Sequence, residues 1–164
     1  MKLLRKVTCA LLTMILINAS TVVPVFAAEQ PDIVELEATV VANNNAQQEF
    51  VVQPRSTTFI DTSISMSFSS SGMYVSITTG MSMTGSVVGV KDIKIQKKGL
   101  FGIWTTVATS EGGEAYDTSF VMVGLTYTGA VEGEVYRVTC THYGNVDEYR
   151  ELDHETEAIT CWFS

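Results

Sequence analysis

A chain of 164 residues with 10 basic and 18 acidic side chains, a net charge of −8, has room for one domain and its appendages. The excess of acid argues against nucleic acid as a partner and against long-range attraction to anionic membranes. Three cysteines and two histidines leave little material for metal or thiol chemistry.

Lys2, Arg5 and Lys6 precede an apolar run from Val7 to Val23, which Pro24 ends. Val25-Phe26-Ala27 then places small residues where a signal peptidase cuts. Residues 1–27 are therefore expected to be a secretory signal peptide. The alternative is a membrane anchor, but the run is at the short limit for a spanning helix. Cys9 lies within the run, away from the cleavage point, and no lipobox surrounds it. Cleavage would remove three basic residues and leave seven against 18 acidic, a net charge of −11. The mature protein is expected outside the cell or at its surface, with no membrane insertion, and to bind no nucleic acid. Residues 28–60 are acidic, carry the polar tract 43–48 and show no sustained period, so they read as a flexible acidic leader.

From residue 61 the chain alternates in type, as half-buried strands do. Ile64, Met66 and Phe68 alternate with serines, and Ser70-Ser71-Gly72 turns the chain. Met73, Val75 and Ile77 follow, with Met81 and Met83 beyond Gly80; Gly85 and Gly89 are expected to bound a loop. Ile93 and Ile95 lead through the Gly-flanked turn Leu100-Phe101 to Trp104–Ala108, which reads as a hairpin. Residues 110–114 read as a loop. Val121, Val123, Leu125 and Tyr127 share the next strand, Tyr136, Val138 and Cys140 another, and Thr156–Phe163 forms the last. About seven strands with no helical stripe predict an all-β fold over 61–164. An antiparallel β-sandwich is the leading architecture and a small β-barrel the alternative.

Only Cys140 and Cys161 would survive signal-peptide removal, and an oxidising compartment favours one disulfide between them. Placing them directly opposite in a hairpin sets Val138 against Phe163 and His142 against Ile159, with the turn at Tyr149–Leu152. That register gathers Tyr136, Val138, Ile159 and Phe163 with the cysteines on one apolar face.

Tyr136-Arg137-Val138-Thr139-Cys140 resembles the penultimate strand of immunoglobulin and fibronectin type III domains, with Tyr136 as a corner residue. Ile95-Gln96-Lys97-Lys98, followed by Gly102-Ile103-Trp104-Thr105-Thr106-Val107, is similar to a unit of small secreted Gram-positive bacterial proteins of unknown function. The resemblance implies an immunoglobulin-like sandwich and a secreted protein, and carries no activity with it.

Chemistry is sparse. No Gly-x-Ser-x-Gly elbow accompanies His142 or His154, and a disulfide would remove any thiol nucleophile. Asp147, Glu148, Glu151, Asp153, Glu155 and Glu157 cluster without a calcium-loop spacing, and read as a solvated acidic turn. His142, His154 and an acid would make a metal site only if the fold brought them together. Trp104 and Tyr143 could stack a sugar, although a tryptophan is more often core, and the methionines read as core filler. Leu100 and Phe101 could form an exposed apolar contact. These readings predict a non-enzymatic extracellular binding or adhesion module whose partner is a protein or carbohydrate. It would hold no cofactor, no metal and no catalytic residues. A structural spacer is one alternative and a small metal-dependent hydrolase another.

Overall fold

Two long strands set the architecture. β4 (Gly72–Lys98) and β5 (Trp104–Tyr127) pair antiparallel along nearly their whole length in the computed structural model, which describes residues 32–42 and 59–163. The expected signal peptide, Cys9 and the polar tract 43–48 lie outside the described residues. The loops expected at Gly85–Gly89 and at 110–114 are not loops: the pairing runs through both, with a register shift between Gly80 and Gly85. The glycines that suggested turns serve close approach instead. A Cβ on Gly89 would lie 2.4 Å from Tyr143 Cζ, because that ring lies across the strand there. Gly112 has φ +91° and its missing Cβ would meet the Val90 carbonyl at 2.1 Å, so it holds a left-handed position inside a strand.

Among the described residues, six further strands complete an all-β, mixed open sheet of eight. β1 (Val34–Glu35) runs parallel to β5, and β2 (Thr39–Ala42) antiparallel to it. Both come from the segment expected to be a leader, and Leu36 and Ala38 beside them pack on the core. β3 (Phe59–Ser69) pairs with the first half of β4. β6 (Val135–Asn145) pairs with its second half, and β7 (Tyr149–Glu155) and β8 (Ile159–Thr160) both pair with β6. The parallel β1–β5 pair departs from the all-antiparallel arrangement expected.

The two halves of β4 face one another across the core. One cluster holds Met73, Val75 and Ile77 from the first half, Val90, Ile93 and Ile95 from the second, and Val123 and Leu125 of β5. The rings of Phe68 in β3 and Tyr136 in β6 lie 6.4 Å apart across it. The alternation read from sequence falls on the right faces, since Tyr136 and Val138 are fully buried and Cys140 nearly so. Each fully buried aliphatic of this kind is worth about 1.5–3 kcal/mol. Met73 and Met81 are buried, whereas Met83 is half exposed. Tyr136 also accepts a 3.0 Å hydrogen bond at its hydroxyl from the Val131 N–H, which ties the β5–β6 connection to the strand.

The register expected for the end of the chain is wrong. Cys140 stands opposite His154 and His142 opposite Leu152, with the bend at Val146–Glu148 rather than Tyr149–Leu152. Cys161 instead donates its N–H to the carbonyl of Glu134, the residue before β6 and six residues before Cys140. Six residues of strand are about 20 Å, so no disulfide joins them. Both are buried free thiols. The stretch expected to be a solvated acidic turn makes its own strand, β7, with its charges alternating. Asp153 and Glu155 point outward to Thr141 and Arg137.

Two outcomes test this arrangement. Gly89→Ala should destabilise by about 1–3 kcal/mol through displacement of Tyr143. Combined with Tyr143→Ala, its cost should fall well below that, which a denaturant double-mutant cycle would read. Alkylation of unfolded, unreduced protein should modify Cys140 and Cys161; protection of both until a reductant is added would restore the disulfide.

Candidate functional site

Three places on the molecule gather side chains with chemical or binding potential. The first is inside. Cys140 and His142 are two residues apart on β6, so they share a face, and β7 sets His154 opposite Cys140. The result is a chain of polar contacts in the interior. His142 Nδ1 lies 2.7 Å from Thr79 Oγ1, and its Nε2 lies 3.1 Å from His154 Nδ1 and 3.6 Å from Cys140 Sγ. The Thr79 hydroxyl also lies 3.3 Å from the Gly89 carbonyl. If its one proton goes there, its oxygen accepts from Nδ1–H of His142 and Nε2 is an acceptor for His154 or the thiol; in the other tautomer Thr79 donates to Nδ1 and Nε2 carries the proton. Thr79 belongs to the first half of β4, so this contact joins the two facing halves of the sheet.

The electrostatics oppose nucleophilic chemistry. Burial, with a smaller contribution from Asp153, pushes the Cys140 thiol up to about 12. Burial, and then the neighbouring His154, hold His142 down to about 4. A thiolate–imidazolium pair needs shifts of the opposite sign on both groups. An open pocket of about 290 Å³ reaches this cluster from outside, lined by Cys140, His154, Asp153, Asp92 and Lys94 among others. The histidines do converge, but among the described residues no group of three His, Cys, Asp or Glu side chains could hold a metal ion.

The second place is the outer face at the far end of β6. Tyr143 lies over Gly89 and donates to Glu114 Oε2 at 2.6 Å, while Tyr116 donates to the same carboxylate. Those bonds hold the Glu114 carboxyl below the usual range, that from Tyr116 most strongly. Lys91 bonds Glu151 and Tyr149, and its ammonium lies 5.7 Å from the Tyr143 ring. The acidic turn is thus partly neutralised. Trp104 and Tyr143 do not form a joint platform. Trp104 pairs with Lys98 and Tyr143 with Gly89, nine residues of β4 apart or about 30 Å.

The third place is the tip of the β4–β5 hairpin. A 3-10 turn at Leu100–Gly102 is closed by Gly99 N–H donating to the Ile103 carbonyl at 2.7 Å. Leu100 is 83% exposed, Phe101 98% and Ile103 65%. Phe101 sits in the left-handed region, with φ 60°, a position costly for a side chain with a Cβ. Behind the tip, Trp104 is half buried with the Arg137 guanidinium 4.4 Å from its ring and Lys98 at 6.0 Å. Sequence reasoning found Leu100 and Phe101 but missed Ile103 and the cations behind. The signal was present, since no acidic residue occurs between Ile93 and Ser110 while Lys94, Lys97 and Lys98 do. It also missed Thr79 as the partner of His142, which no spacing in the sequence marks.

Trp162 is exposed at the other cysteine-bearing segment, and Tyr149 is half exposed beside Lys91. Among the described residues no helix is long and apolar enough to cross a membrane. No protein-family model matches the chain, and no curated protein matches it either.

The buried histidine sets a pH dependence. Its folded-state pKa lies below its unfolded value near 6.5, so the unfolded chain takes up the proton first. Stability should therefore be lost as pH falls from about 6.5 to about 4, by about 3 kcal/mol at the end of that window. Denaturant midpoints of the wild type and His142→Gln should converge as pH drops. Parallel pH profiles for the two proteins would contradict the assignment.

Proposed function

We propose that this chain is a secreted, non-enzymatic binding module of the cell exterior, built on an immunoglobulin-like β-sandwich. The observation that carries the reading is the hairpin tip, where Leu100, Phe101 and Ile103 stand in solvent on a turn closed by backbone bonds. Exposed apolar side chains gathered on a small rigid feature mark contact sites. A spacer would have no use for them. The sandwich reading draws support from the facing halves of the sheet and from Tyr136, whose hydroxyl bonds backbone five residues upstream as a tyrosine corner does. The secretory reading rests on the N-terminal sequence and the resemblance to small secreted Gram-positive proteins.

The thiol and imidazole shifts at Cys140 and His142 favour a binding role over a catalytic one, and the partner is an extracellular molecule rather than a cofactor. One observation speaks for the metal-dependent alternative, the 3.1 Å approach of His142 and His154. It lacks a third ligand among the described residues.

The test is binding of labelled protein to cell-envelope and host extracellular fractions, beside a Leu100→Ser/Phe101→Ser variant. The variant should keep its melting temperature, because both side chains already face water, and lose binding about tenfold or more. Equal retention of both proteins, or of neither, would overturn the reading.

A further inference from the structure

We infer that the β4–β5 hairpin tip is a lipid-docking device that dips Leu100, Phe101 and Ile103 into the interface of an anionic bilayer. The inference rests on the binding role proposed above and names the partner of that same tip. Three arguments lead to a lipid surface.

The first is shape. The three side chains occupy the convex end of a hairpin, and Phe101 is almost wholly in solvent. A convex apolar point suits a soft medium that closes around it, at the depth interfacial segments reach.

The second is the layering behind the point. Lys98 stands beside the turn, close enough for its Cε to lie 3.7 Å from the position of a Cβ on Gly102. Trp104 pairs with it across the hairpin. An apolar end, then a tryptophan, then cations whose stems run along the apolar part is the order in which a lipid interface is arranged, from acyl chain to phosphate.

The third is charge. Every charged group near the tip can be named. Lys97 is 3.9 Å from Glu134, and Arg137 bonds Glu155 at 2.6 Å. Glu132 lies on the β5–β6 connection beside Cys161. Lys94 and Lys98 are exposed and make no ion pair among the described residues. Lys94 shares a pocket with Asp92, Asp153 and Glu155, so Lys98, beside the turn, is the ammonium placed for lipid phosphates, with Lys94 behind it.

The net acidity of the chain reaches Lys98 least. Charges act over a Debye length of about 8 Å at physiological salt. The acidic end begins at Asp92, Asp153 and Glu155, which share a pocket with Lys94, four residues of β4 or about 13 Å back from Lys98. The expectation that the mature chain avoids anionic membranes came from its summed charge, and a surface sees only the end that faces it.

The experiment is co-sedimentation of the full chain with vesicles of phosphatidylcholine alone and of phosphatidylcholine with 30% phosphatidylglycerol. Wild type is compared with Leu100→Ser/Phe101→Ser and with Lys94→Glu/Lys98→Glu. Any contribution of the N-terminal segment is common to all three. Wild type should bind the anionic vesicles, more weakly as salt rises. The serine variant should lose binding about tenfold or more. The glutamate variant should lose the preference for phosphatidylglycerol. Absent vesicle binding, or binding equal in wild type and serine variant, overturns the lipid assignment. If the serine variant then still loses binding to cell fractions, the tip serves a protein or carbohydrate partner and the binding-module reading stands without lipid.

Discussion

The structure depends on one constraint, the satisfaction of both edges of β4 along its length. Its first half is hydrogen-bonded between β3 and β5, and its second between β5 and β6. A strand flanked on both sides cannot slip by one residue without turning its whole apolar set toward water. The register of β4 therefore fixes the registers of three neighbours. It also explains how one strand serves two facing halves. The irregularity between Gly80 and Gly85 lets the strand change course while its pairing with β5 resumes beyond.

Alternation was legible because it is local. Met73, Val75 and Ile77, or Tyr136, Val138 and Cys140, declare their buried face without reference to any partner. Glycine was misread because its two uses look alike in a sequence. Gly89 could have made a turn; it was needed instead because Tyr143, 54 residues later, lies across it. The cysteine register failed for a related reason. Several pairings of β6 with the end of the chain gather apolar residues on one face, and an apolar face alone does not choose among them. The choice lies in the charges of β7. Asp153 and Glu155 need Thr141 and Arg137 as outer-face neighbours, and meeting that need sends Cys140 to His154. Of the candidate site, the apolar tip was visible as a turn with two large side chains. The ion-pair-free state of Lys94 and Lys98 became visible only with neighbours in place.

The buried histidine shows how a polar group can be a structural element. His142 is fully enclosed, yet both ring nitrogens have partners, and one of those partners belongs to the facing half of the sheet. A buried polar group with complete hydrogen bonding resists alternative packings, because any slip would strand it. The same enclosure that makes it useful in this way holds its proton affinity low and leaves the adjacent thiol protonated. Proximity of Cys140 to His142 thus follows from strand geometry, which places residues two apart on one face, and needs no catalytic purpose.

The two ends of β4's second half divide the work differently. At Gly89 and Lys91 the outer face is closed by its own contacts: tyrosine hydroxyls and a lysine already hold Glu114 and Glu151. A ligand arriving there would have to displace interactions worth as much as those it offers. At Lys98 the situation is reversed. Leu100, Phe101 and Ile103 have given up no partner to be exposed, and the turn beneath them is already ordered by backbone bonds. A contact at the tip would cost little ordering of the turn and would desolvate mainly apolar surface, so these two terms would take less from its gain than on the tyrosine-rich face. That asymmetry favours the hairpin end over the tyrosine-rich face as the contact surface of this molecule, although the latter holds more of the residue types that usually mark a site.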